Sequence, residues 1–457
     1  MTAHATTPVG LELAPAADRR PADPTPPSLH ALRVRWPELR PDERASELRR
    51  VERAPADALF CSLPHPEQAA LLQALPEDER RSWLRLLDPD DQADVLQALP
   101  DEARARLLAS LDPITRREVS ALLAYAEDAA GGLMNPRFAR LRPEGTVGEA
   151  VRYLQRQASG PDGLETIYCA YVLDHEQRLV GVVSFRDLFR ARPEEPVSAV
   201  MRTKVVSVRD DLDQEAVARV IADSDLHAVP VVDAAGRMKG IVTVDDIVDV
   251  VQQEATEDIQ KLGGLEAFDS PYLRAPLSEV VRKRAGWLVV LFLGEMLTTW
   301  AMAAYEEDIA KAVVLALFVP LIISSGGNVG SQATTLVIRA MALGEVGPGD
   351  WLRIVRRELA AGVLLGLVLA ALGLARVVFG QWSTAAFGAA WPAVAATVSL
   401  SLVGVVTWGT LVGSTLPFAI RRLGFDPASA SAPFVATLVD VTGLVIYFSI
   451  GKVLLLG

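Results

Sequence analysis

The chain has 457 residues, half of them hydrophobic, and a formal net charge of −12. Residues 1–270 hold 47 acidic and 32 basic side chains, a net of −15, whereas residues 271–457 hold 10 and 13, a net of +3. The first part reads as an acidic soluble protein that attracts cations and repels nucleic acid, and the second as a membrane protein. Cys61 and Cys169 are too few and too isolated for a disulfide framework or a thiolate metal site, and are expected as small buried apolar residues.

Residues 1–28 are rich in Pro, Ala and Thr without an apolar core, so they read as a disordered tail rather than a signal peptide. Residues 29–133 form the first expected domain. Prolines recur at 64, 76, 89, 100 and 113, and "ALPEDERRSWLRLLDPDDQADVLQALPDEARARLLASLDP" alternates LP and LDP starts. Each start precedes paired leucines at helical spacing. Proline in the first turn and acidic residues beside it predict an all-α helical-repeat domain.

Residues 134–253 carry a second repeat. "LMNPRFARLRPEGTVGEAVRYL" pairs with "VMRTKVVSVRDDLDQEAVARVI", and "YVLDHEQRLVGVVSFRDLF" with "PVVDAAGRMKGIVTVDDIV". Each copy predicts strand, helix, strand, turn, strand and a helix opened by Asp. The duplication resembles a tandem pair of cystathionine-β-synthase (CBS) domains, an α/β unit. The resemblance implies pairing with a second such unit and binding of ATP or another adenine nucleotide. Thr243 and Asp246 stand where a ribose contact usually falls, or else they cap the following helix.

Residues 254–283 are expected as a linker helix, and residues 284–457 as a transmembrane domain of five helices at roughly 286–304, 312–338, 359–379, 390–418 and 430–456. Each is adequate for a span of about 20 residues. "RKR" at 282–284, "RIVRR" at 353–357 and Arg421 with Arg422 mark one side of the membrane, while "YEED" at 305–308 and "GQWSTAAFG" mark the other. The positive-inside rule then places the N-terminal domains in the cytoplasm and the C-terminus outside. Trp287, Trp382 and Trp391 suit interfacial belts.

Asp440 is the one charge in "APFVATLVDVTGLVIYFSIG". A carboxylate at that depth costs several kcal/mol unless it faces a bundle interior, water or a cation. It is either an ion-pathway group or a structural carboxylate bonded to a neighbouring helix. In the second span, "VPLIISSGGNVGSQATTLVIRAMALGE" places Pro320, Gly326, Gly327 and Gly330, which predict close helix approach or a local break lining a cavity. Asn328, Ser331, Gln332, Thr334 and Thr335 supply neutral oxygens there. Neutral oxygens with one carboxylate suit a hard cation, and no intramembrane His, Cys or Met cluster suits zinc or copper.

"SSGGNVGSQATTLVIRAMALGE" together with "DPASASAPFVATLVDVTGLVIYF" resembles the MgtE family of magnesium channels, and the domain order resembles that family's order. By this resemblance the chain is a homodimeric, magnesium-selective channel for uptake across the cell membrane, surrounded by lipid. Asp440 holds hydrated Mg2+ through its waters, with Asn328, Ser331, Thr335 and the Ala436 carbonyl also in the pore. The chain departs from the family pattern at Ser331, where Asn is common, at Ala432, and at Val439 just before the aspartate.

Glu295, in "FLGEMLTTW", is a second intramembrane carboxylate outside those motifs. It is a polar helix contact, a vestibule residue or an added ion site.

In the linker, Glu254, Glu257 and Asp258 share one helical face; Asp246 and Asp249 precede them. Asp213, Glu215 and Asp225 lie in the CBS pair, and Asp90 and Asp94 in the helical domain. The bland reading is a solvated acidic face. The family resemblance implies instead regulatory magnesium bridges that compact the cytoplasmic part and let the linker helix plug the pore.

Competing readings are a channel for Co2+ or Mn2+, a CBS-gated anion channel, a nucleotide-regulated membrane sensor and a membrane enzyme. The uncompensated Asp440 conflicts with an anion pathway. An enzyme lacks support from any His-Glu-x-x-His or Gly-x-Ser-x-Gly motif in the membrane part.

Overall fold

The structure is a computed structural model that describes residues 29–158, 164–166, 168–268, 272 and 275–456. The tail read as disordered, 1–28, lies outside the described residues. The chain divides into two compact units, Met1–Ile247 and Val248–Gly457.

The first unit opens with eight short helices: α1 (Leu29–Arg35), α2 (Pro41–Leu48), α3 (Arg53–Cys61), α4 (His65–Ala74), α5 (Glu77–Leu84), α6 (Pro89–Gln97), α7 (Asp101–Ser110) and α8 (Pro113–Leu122). The two proline starts have different jobs. LP prolines 64, 76 and 100 occupy the N-cap of α4, α5 and α7, where a non-helical backbone with φ near −55° suits the ring. LDP prolines 89 and 113 occupy the first helical position of α6 and α8. In α8 the preceding Asp112 accepts from the Ile114 and Thr115 N–H groups at 3.2 and 3.1 Å. The repeated leucines converge on one core with Phe60 and Trp83, whose rings lie 5.3 Å apart. Cys61 is exposed at the end of α3, against the expectation of burial, because the apolar face of that helix is filled by Ala56, Leu59 and Phe60.

After α9 (Ala130–Leu133), the CBS repeat runs β1 (Arg140–Leu141), α10 (Val147–Ala158), β2 (Cys169–Leu173), β3 (Leu179–Ser184), α11 (Phe185–Arg190) and α12 (Val197–Val200), then β4 (Val208–Arg209), α13 (Gln214–Ser224), β5 (Ala228–Val232), β6 (Met238–Thr243) and α14 (Val244–Leu262). Each copy forms a three-stranded sheet, one parallel and one antiparallel pair. The duplication extends to an irregularity at Val172/Leu173 and again at Val231/Val232.

The second unit holds α15 (Leu277–Ala304), α16 (Glu306–Lys311), α17 (Val314–Ala342), α18 (Trp351–Thr384), α19 (Trp391–Arg422) and α20 (Ala432–Gly451). Five of these six are long and apolar enough to cross a membrane. A small-residue stripe on α18, Gly362, Gly366, Ala370 and Gly373, lets it lie against α19.

One expectation about the linker is corrected. α14 passes residue 253 without interruption and ends at Gly263 and Gly264, the latter at φ +73°, so 254–283 is not one helix. α15 begins at Leu277, so "RKR" 282–284 lies in its N-terminal turns, ahead of the span expected at 286–304.

Candidate functional site: an intramembrane carboxylate and an acidic cluster

α17 is unbroken through its glycines and Pro320, so the local break considered for it does not occur. The glycines serve close approach. A Cβ at Gly409 would lie 2.5 Å from the Gly326 carbonyl oxygen, and one at Gly413 would lie 2.1 Å from that of Gly330. α17 and α19 therefore touch backbone to backbone. Thr334, expected beside the cavity, belongs to this contact: it is fully buried and donates to the Gly413 and Gly330 carbonyls at 2.9 and 3.0 Å.

The opposite turn of α17 faces α20. A Cβ at Gly327 would meet Asp440 Oδ1 at 3.3 Å and the Ala436 Cβ at 3.4 Å. The missing side chain of Gly327 thus leaves the space beside the Asp440 carboxylate. Asn328, the next residue, is exposed, with Nδ2 3.4 Å from Ser324 Oγ. Ser331 donates to the Ala432 carbonyl at 3.1 Å, and exposed Thr335 donates to the Ser331 carbonyl at 2.9 Å. Ala436 sits inside the unbroken α20, one turn before Asp440. Asp440 has neither a hydrogen bond nor an ion pair among the described residues. Burying such a group without a counter-charge is costly, which suits a carboxylate that meets a cation or water.

The linker end of α14 docks on this unit. Lys261 Nζ lies 2.6 Å from Asp426 Oδ2, in the segment just before α20, and also pairs with Glu257 one turn back. Leu262 packs with Ile338, Leu416 and Ile420 at the ends of α17 and α19 and with Ala428 and Ala430 in the segment before α20. Trp287 is more than an interfacial belt residue: its indole donates to Ser431, the α20 N-cap, at 3.1 Å. Glu254 and Asp258 are partnered, and Asp249 is exposed.

In the first unit, α6 and its N-cap supply Asp88, Asp90, Asp91 and Asp94, and Glu165 and the start of α14 bring further carboxylates to them. Asn135 donates from Nδ2 to Asp90 at 3.1 Å and to Glu165 at 2.6 Å. Burial, then the charges of Asp246, Asp91, Glu165 and Asp88, holds the Asp90 carboxyl well above the usual carboxylate range. Burial pushes Asp94 up to about 7 despite His65 beside it, and burial with Asp88, Asp246 and Asp245 pushes Glu165 up to about 7. Asp246 rises to about 6, chiefly by burial and against its bonds from Thr243. His65 lies 3.2 Å from Asp91 and 3.3 Å from Asp94.

The donor set is that of a hard cation, yet among the described residues no three such side chains are arranged to hold one directly. Asp90 is turned to Asn135, and Asp246 caps α14 by accepting from Thr243 N and Oγ1 at 3.1 and 2.6 Å.

The remaining candidates have local partners. Asp213 caps α13 by accepting from Glu215 N at 2.9 Å, Glu215 pairs with Arg219 at 3.0 Å, and Asp225 ends α13 in the left-handed region at φ 49°. Sequence reasoning missed Glu165, Asn135 and Asp426. Lys261 it could have paired with Glu257 from their spacing of four.

The chain matches the MgtE divalent cation transporter domain over residues 319–450, the MgtE intracellular N domain over 34–128 and CBS domains over 130–194 and 197–253. It is 46% identical over 341 residues to the magnesium transporter MgtE of Thermus thermophilus, covering 75% of this chain and 73% of that one. The chain belongs to the MgtE family. A second member, the magnesium transporter MgtE of Enterococcus faecalis, is 35% identical over 336 residues, covering 73% of this chain and 71% of the relative. A crystal structure of the cytosolic domain of the Mg2+ channel MgtE in complex with ATP is 47% identical, covering 49% of this chain and 90% of that one at a TM-score of 0.45. Family membership and five spanning-length helices make this chain a multi-pass membrane protein.

Proposed function

We propose that this chain is a magnesium channel in which Asp440 holds the permeating hydrated ion. The observation that carries the reading is an unpartnered carboxylate in the middle of a spanning helix, lying in space vacated by Gly327. Asn328, Ser331, Thr335 and Ala436 complete the pore lining. Mg2+ sheds water reluctantly, so one carboxylate acting through the hydration shell attracts the ion and still releases it. Two copies of the chain set two Asp440 side chains about one axis. The membrane potential draws the ion inward, at about 2.3 kcal/mol per charge per 100 mV, doubled for a divalent ion.

The bundle end against which Leu262 packs carries Arg339, Arg421 and Arg422, so it is the cytoplasmic end and the C-terminus lies outside. Regulatory Mg2+ neutralises the carboxylates around Asp90, Asp94, Glu165 and Asp246, and the docked end of the linker helix closes the pore. Asp213, Glu215, Asp225, Asp249, Glu254, Glu257 and Asp258 are secondary candidates in this regulation. An adenine nucleotide at the CBS pair would compete with the cap that Thr243 and Asp246 make on α14.

Mg2+ uptake into liposomes by wild type and Asp440→Asn tests the reading. Loss of most uptake in the variant is expected, and equal uptake by two equally folded proteins defeats it.

A further inference from the structure

Among the carboxylates of the spanning helices, Glu295 is one to which the pathway proposed above gives no role. Glu295 lies in the second half of the 28-residue helix α15 and is exposed on the chain. Its carboxylate accepts one hydrogen bond, from Thr298 Oγ1 at 3.5 Å, and makes no ion pair among the described residues. A carboxylate at such depth does not rest against lipid in its charged form; it meets protein, water or a cation.

Its position relative to Asp440 is set by a close helix contact. A Cβ on Gly294 would lie 2.7 Å from Thr437 Cγ2, so α15 touches α20 there. As the first and fifth of five alternating crossings, the two helices run in the same direction. Glu295 follows Gly294 by one residue and Asp440 follows Thr437 by three. At about 1.5 Å rise per residue the carboxylates sit within about 3 Å of the same depth.

We propose that Glu295 is a specificity-determining residue of the cation pathway, adding a second carboxylate per protomer to the field of Asp440. The inference rests on the reading of Asp440 as the permeation carboxylate. Two carboxylates attract a divalent ion more strongly than one, and offer more oxygens to replace its waters. The second effect favours ions that dehydrate more readily than Mg2+, such as Mn2+.

The test is Mg2+ uptake by the full-length protein in liposomes as a function of external Mg2+, with and without Mn2+ as competitor. Gln copies the shape of the neutral acid, so Glu295→Gln isolates the charge. It is expected to raise the half-saturating Mg2+ concentration about tenfold and to weaken competition by Mn2+ more than self-competition by Mg2+. Glu295→Asp keeps the charge on a shorter arm and is expected to stay within about threefold of wild type. Equal impairment of both variants would mean a structural loss and overturn the inference. If Glu295→Gln behaves as wild type while Asp440→Asn loses uptake, Glu295 is outside the pathway and the Asp440 reading stands. If Asp440→Asn is also unchanged, both fall together.

Discussion

The Lys261 ammonium lies 2.6 Å from the Asp426 carboxylate, joining the end of the linker helix to the segment that starts the Asp440 helix. Burial works against the charged form of Lys261, but the bonds to Asp426 and Glu257 outweigh it and raise its pKa above the ordinary ammonium value. The linker is therefore anchored by charge as well as by Leu262.

Lys261→Met keeps the length and removes the charge. With the pair partly exposed, about 1 kcal/mol of docking is expected to be lost, or roughly a fivefold change in equilibrium. Flux measured against internal Mg2+ should then close at about fivefold higher concentration. Unchanged closure would place the anchor outside gating.

The acidic cluster predicts a pH dependence with a definite sign. Asp94 and Glu165 titrate at about 7 and Asp246 at about 6 in the folded unit, above their ordinary values near 4. A raised carboxyl pKa means the folded state binds protons that the unfolded state has released. The stabilising contribution is fully present below the unfolded values near pH 4 and is lost progressively as pH rises to the folded values of about 6 to 7. Without Mg2+, the melting temperature of the full-length protein should fall between pH 5 and pH 8. With millimolar Mg2+ the fall should shrink, and adding Mg2+ near pH 6.5 should release protons, measurable with a pH indicator.

Asp90→Asn tests the same cluster without changing pH. The introduced amide oxygen can still accept from Asn135, so the hydrogen bond survives and only the buried charge goes. Melting without Mg2+ should rise by about 2–4 °C for each kcal/mol of relieved repulsion. The further rise on adding Mg2+ should be smaller than in wild type. An unchanged Mg2+ response would remove Asp90 from the sensor.

Local chemistry made much of this architecture legible. The proline starts, the duplicated strand endings and the long apolar runs each carry their own period, and the structure places elements where those periods are. The Gly263–Gly264 stop of α14 was also in the sequence, but the expected linker read across it because acidic and apolar residues continue on both sides. Tertiary pairings were not legible. Nothing in "GLETIYC" marks Glu165 as a neighbour of Asp90, and Lys261 meets Asp426 across 165 positions. The role of the α17 glycines was likewise ambiguous, since close approach and a broken helix have the same composition until the facing glycines of α19 are known.

Those facing glycines give the sharpest packing prediction. At Gly413 a methyl group would sit 2.1 Å from the Gly330 carbonyl oxygen and 2.8 Å from Thr334 Oγ1, a distance no rotamer relieves because backbone is on both sides. Gly413→Ala must therefore move α17 from α19, with a cost of about 1–3 kcal/mol from overpacking and the threatened Thr334 to Gly413 hydrogen bond besides. Gly349→Ala is the control, since a methyl there meets nothing within 4 Å and its φ is ordinary. Thermal melting in detergent should fall by several degrees for Gly413→Ala and stay at the wild-type value for Gly349→Ala. Mg2+ uptake should fall with the first and not the second, because moving α17 also moves Gly327 from the Asp440 carboxylate. Wild-type melting and uptake in Gly413→Ala would mean that the two helices do not touch through these glycines.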